Sequence, residues 1–171
     1  SPQRGMIEYS HDSDTMLLNA NGSTRITIGS GGDIDVETGD IFFSTAGKGI
    51  VLGATSNTAA NTLDDYEEGT FTPAFAQSGA TIGYSAQAGN YTKVGRLVHA
   101  TGRIFVSSVS GGSGAITITG LPFTSLSSHD HSPVLFATVF NGWSSTNAPK
   151  AGYISNGSST IQVVTNDSSD A

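Results

Sequence analysis

Short apolar runs alternate with clusters of Gly, Ser, Asn and Asp along the chain, and no window places apolar residues at i, i+3, i+4 and i+7. That pattern predicts strands and turns with almost no helix. In the first third, Ile7-Glu8-Tyr9, Met16-Leu17-Leu18 and Arg25-Ile26-Thr27-Ile28 each read as a strand bounded by turn residues. A loose repeat follows: GDIDV at 32–36, GDIFF at 39–43 and GIVL at 49–52. Its leading apolar positions, counted from Ile26, are Ile34, Ile41 and Ile50, in steps of 8, 7 and 9 residues. Each unit holds about four residues of strand, shorter than the usual five or six, and cannot bury its apolar face alone. Stacking can bury it, within a solenoid or by winding several chains around one axis. Four irregular units are few for a self-capped solenoid, so the pattern favours several chains.

After a small polar connector, ATSNTAAN at 54–61, the chain reaches LDDYEEGTFTP at 63–73. Strand-like runs then recur at 69–75, 81–85, 89–94, 96–109, 115–121, 133–140, 151–155 and 160–165, separated by QSG, QAGN, SGGSG, SLSSHDHS and NGS. Seven or eight short strands with Gly- and Ser-rich turns predict an antiparallel β-sandwich of jelly-roll type. In RLVHATGRIFVSSV, residues Leu97, His99, Thr101, Arg103 and Phe105 share one face, and Val98, Ala100, Gly102, Ile104 and Val106 the other. The second face is the purer apolar one and is expected to point inward. The expected organisation is an all-β chain, with a trimeric shaft and connector over 1–62 and a sandwich head over 63–171.

Composition sharpens this picture. Only 36% of the residues are apolar, against roughly 45–50% on a somewhat broader count for ordinary globular domains. Part of the core is therefore expected to be shared between chains. There is no cysteine, hence no disulfide framework and no thiolate zinc site. No apolar run is long enough for a membrane helix, and the opening SPQRGM reads as a piece of a longer protein. The net charge of -7 is uneven: residues 1–68 hold eleven acids and three bases, residues 69–171 three acids and four bases. Neither half has the basic stripe that nucleic-acid binding needs.

LDDYEEGTFTP at 63–73, GYSAQAGNYTKVGRLVHATGRI at 83–104 and ITITGLPF at 116–123 resemble the module at the distal end of bacteriophage tail fibres. GMIEYSHDSDTMLLNANGSTRITIG, at 5–29, is similar to the stalk segment that often precedes that head. The resemblance implies a homotrimeric virion fibre joined to other phage tail proteins, with an intertwined β shaft and a head that touches a receptor on the bacterial surface. The chain departs from that pattern at its end, NDSSDA, where one more closing strand is expected.

Several residues are candidates for chemistry. Trp143 lies in FNGWSSTN with Asn141, and Tyr153 and Asn156 follow on the next hairpin. An indole offers an apolar face to a pyranose ring while amides and hydroxyls orient its oxygens. These four, with His129 and Asp130, form the expected glycan-contacting set; packing of Trp143 in the core is the competing reading. His129 and His131 flank Asp130 at strand spacing, and three copies would supply six imidazoles to a transition metal. Their flanks SLSS and SP read as a loop, so no metal is expected there. The carboxylates of LDDYEEG lack calcium-loop spacing and are expected to be solvated, with Tyr66 docking onto the head. Beyond Gly69 the only acids are Asp130, Asp167 and Asp170, and no G-x-S-x-G elbow exists. The expectation is a cofactor-free binder rather than an enzyme; a purely structural virion module and a glycan depolymerase are the alternatives.

Overall fold

The computed structural model describes residues 4–56, 59–128, 131–136 and 149–165. Among these the chain is antiparallel β throughout, apart from one 3-10 turn at Ala59–Asn61. Contacts divide it into two compact units, residues 1–48 and 49–171. The 62/63 boundary expected from composition falls inside the second unit, because β5 (Ile50–Val51) pairs with β6 (Thr62–Leu63) across the connector.

The first unit is a meander of β1 (Gly5–Ser10), β2 (Thr15–Ala20), β3 (Ser23–Ile28) and β4 (Ile34–Val36), in that order. Asn21 and Gly22 make the β2–β3 turn with φ of 54° and 77°, the two left-handed residues that a tight hairpin matching the sheet twist requires. Register then sorts the side chains. Tyr9, Met16, Ile28 and Ile34 form one row, and Ile7, Leu18, Ile26 and Val36 another on the same face. The other face carries Glu8, Leu17, Thr27 and Asp35, and is tied by Thr27 Oγ1 donating to Glu37 Oε1 at 2.9 Å and Arg25 Nη1 to Thr38 Oγ1 at 2.6 Å. The sheet is thus amphipathic. Its apolar face is bare: Ile7 is 76% exposed and Ile34 68%. The repeat expected at 39–43 forms no strand. Among the described residues no strand pairs with it, and Phe42 stands 86% exposed.

The second unit contains a six-stranded sheet of order β10-β11-β12-β9-β8-β7. Its strands are β7 (Tyr66–Phe71), β8 (Ala74–Val94), β9 (Leu97–Thr119), β10 (His131–Val134), β11 (Pro149–Ser155) and β12 (Ile161–Thr165). The runs expected as separate strands between 81 and 121 are parts of one long hairpin, β8–β9, closed by the two-residue turn Gly95 and Arg96. The Gly-rich segments read as turns are bulges and bends inside a continuing ladder. Nine residues of straight strand would hold Phe75 and Tyr84 about 30 Å apart. Yet the Tyr84 hydroxyl donates to the Phe75 carbonyl at 2.8 Å, and Gln87 Nε2 donates to the Pro73 carbonyl at 2.7 Å. The hairpin therefore doubles back on itself. Register shifts lie between Ala76 and Ser78 and on both sides of Tyr84, and Gly79 and Gly111, both at positive φ, face each other at the bend.

Folding back sets the base of the hairpin over its middle, giving the layered, sandwich-like arrangement expected for the head. The small core lies there: Ile118 and Ile161 oppose one another at 7% and 8% exposure, with Phe75 opposite Ile118 on the other side. Among the described residues the only other buried apolar side chains are Pro73 and Pro149, and no side chain is buried completely.

Candidate functional site

Three strand segments meet at the tip of the hairpin: residues 66–71 of β7, 89–94 of β8 and 97–102 of β9. Residues directly opposite in an antiparallel ladder share a face, so the register assigns every side chain. Glu68, Thr92 and His99 form one row, Thr70, Asn90 and Thr101 the next, and Tyr66, Val94 and Leu97 the row at the tip, all on one face. Adjacent strands lie about 4.8 Å apart and alternate residues about 6.7 Å apart along a strand. The two polar rows and the apolar tip row thus cover roughly 10 Å by 13 Å. The two polar rows line a shallow depression of about 410 Å³.

The opposite face is closed. Gly89 and Gly102 leave a notch filled by the Phe71 ring, where a Cβ on Gly89 would stand 2.5 Å from that ring, and Pro73 covers Gly102. The Tyr91 ring meets Phe123 edge to face at 5.0 Å, and its hydroxyl donates to Glu67 Oε1 at 2.5 Å. That hydrogen bond, with burial and the Glu67 charge adding to it, raises the Tyr91 pKa above its ordinary value. Lys93 is ion-paired with Asp65 and lies 5.7 Å from the Phe123 ring. These contacts fix the back of the three strands, so the open face is presented on a rigid support.

On the open face none of the six polar side chains has a hydrogen-bond or ion-pair partner among the described residues. Elsewhere some polar side chains are tied internally: Thr24 Oγ1 donates to Asn19 Oδ1 at 2.8 Å, and Ser125 Oγ to the Ser155 carbonyl at 2.7 Å.

Of the residues expected to contact a ligand, His129, Asp130, Asn141 and Trp143 lie outside the described residues. Tyr153 sits half-buried in β11 between Pro133 and Gln162, and Asn156 is exposed in the turn to β12. His131 opens β10 opposite Ser155. Tyr153 and Asn156 thus share one hairpin, on the flank of the strand order away from the open polar face. The acidic neck divides by alternation: Asp65 and Glu67 are engaged on the closed side, whereas Glu68 faces the depression. Tyr66, expected to dock onto the head, instead projects from the open face at 61% exposure, and Phe71 does the packing. The sequence reading passed over Glu68, Thr70, Asn90 and Thr92 as site residues; their signal is polar side chains at alternate positions of paired strands. Comparison with protein-family models, with curated proteins and with solved structures finds no match for this chain.

Proposed function

We propose that the chain is the distal part of a homotrimeric bacteriophage tail fibre, whose first unit belongs to a shared β shaft and whose second unit is a head binding a glycan on the bacterial surface. The observation that carries the reading is the bare apolar face of β1–β4. A sheet holds together by burying its apolar face, and among the described residues of the first unit none covers Ile7, Tyr9, Met16 or Ile34. Further copies of the chain supply the cover. Ile41, Phe42 and Phe43, all exposed and outside any strand, extend the demand for partners along the chain. The motifs at 63–73, 83–104 and 116–123 support the fibre context, in which the head would be displayed outside the virion and joined through the shaft to other tail proteins.

The head reads as a binder without catalysis or cofactor. Asp65 and Glu67 are held by Lys93 and Tyr91, leaving Glu68 without a second carboxylate beside it on the open face. Shallow contacts of this kind are weak singly and gain from three copies bound at once.

Binding of the purified oligomer to bacterial cells and to an array of bacterial surface polysaccharides tests the reading. Retention on at least one polysaccharide is expected, without shortening of its chains. An intact oligomer that binds no cell and no polysaccharide makes the chain a purely structural module; release of shorter chains makes it a depolymerase.

A further inference from the structure

The geometry points to the open face of β7–β9 as a saccharide-binding site for a short run of uncharged pyranose residues. In this arrangement the sugar hydroxyls bond to Glu68, Thr92, His99, Thr70, Asn90 and Thr101, and an apolar ring face rests on Tyr66. This rests on the glycan reading above and gives it an address.

Four observations converge. The six polar groups are unpartnered among the described residues, and they stand together on one face. They offer carboxylate, imidazole, amide and hydroxyl functions, which between them both donate to and accept from vicinal hydroxyls. Tyr66, at 61% exposure on the same face, supplies the amphipathic ring that a sugar's C–H face needs. The back of the face is held by Phe71 in its glycine notch and by Phe123, so little ordering is required on binding.

The charge pattern selects the ligand class. Glu68 is the only charged side chain in the depression, so a polyanionic chain is repelled and uncharged sugars are not. Arg103, in the next row, lies over the Phe105 ring at 5.8 Å. Among the described residues no strand pairs with the outer edge of β9 at residues 97–101, which leaves room for a polymer to run off the face.

The test compares the unaltered protein with Asn90→Ala, Thr101→Ala, Tyr66→Ala and Trp143→Ala on an array of neutral and acidic bacterial polysaccharides, with the mass of each variant measured by light scattering. The expected result is retention of neutral polysaccharides, weakened at least tenfold by Asn90→Ala, by Thr101→Ala and by Tyr66→Ala at unchanged mass. Three results overturn the site. If Trp143→Ala abolishes binding while the face variants bind normally, the glycan reading stands and the address is wrong. If the face variants change the mass, the face is a contact between copies. If the unaltered protein retains no polysaccharide, the glycan reading and this site fail together.

Discussion

Replacing Ile7 and Ile34 together by Asp is expected to break the oligomer. The two residues sit on the edge strands β1 and β4 and project from the apolar face at 76% and 68% exposure. In a lone chain each change would be a surface substitution, within about 0.5 kcal/mol. Between packed copies each Asp is an unpaired charge taken out of water, at about 3–5 kcal/mol per site, repeated in every copy. The intact face spans roughly 400 Å² from its strand spacing and rise. Covering it contributes on the order of 10 kcal/mol per copy before association costs, so two buried charges are enough to undo it. Light scattering checks the outcome against Glu8→Gln, on the polar face of the same strand. Dissociation by the apolar-face pair alone is the expected result; equal masses for both would show that this face is not where copies meet.

That sheet was largely legible in the sequence. Its strands are short, its turn signals are strong, and Asn21 and Gly22 mark the hairpin without help from distant residues. Alternation also separated the two faces of β9, but the face expected to point inward stays largely exposed, with Val98 at 36% and Val106 at 40% and only Ile104 half-buried. Two things escaped. The doubling back of β8–β9 depends on Tyr84 and Gln87 reaching Phe75 and Pro73, contacts that no local pattern announces. Their glycines, Gly79 and Gly111, look the same in sequence whether they end a strand or bend it. The open polar face escaped because its rows are assembled from Glu68, Thr92 and His99, which are neighbours only once the register of three strands is fixed. Ile41 shows the opposite failure: an apolar repeat position without any strand to pair with in its own chain.

Gly120→Ala is expected to destabilise the head strongly. Gly120 follows β9 with φ of 84°, and a Cβ there would stand 2.3 Å from the Thr72 carbonyl oxygen and 3.2 Å from its carbon. The left-handed conformation costs alanine about 1 kcal/mol. The overlap is with backbone and not with the end of a flexible side chain, so the Thr72-Pro73 link must move, adding about 1–3 kcal/mol. That link also receives the Gln87 hydrogen bond and covers Gly102, so its displacement loosens the back of the three-stranded face. Gly157→Ala separates the two contributions: its φ is 62° but a Cβ there meets nothing within 4 Å. Thermal unfolding followed by circular dichroism should show a drop of roughly 10 °C for Gly120→Ala and only a few degrees for Gly157→Ala. Equal drops would mean that the close approach to Thr72 contributes nothing.

The described chain buries few apolar side chains, Ile118 and Ile161 with Pro73 and Pro149, and leaves the apolar face of its first sheet exposed. In the proposed fibre a chain so exposed is completed by its own copies, and that reading stands or falls with this. The mass of the unaltered protein in native buffer, measured by light scattering over a range of concentrations, tests it most directly. A mass three times 17.5 kDa that persists on dilution is predicted; a folded species at 17.5 kDa would contradict it.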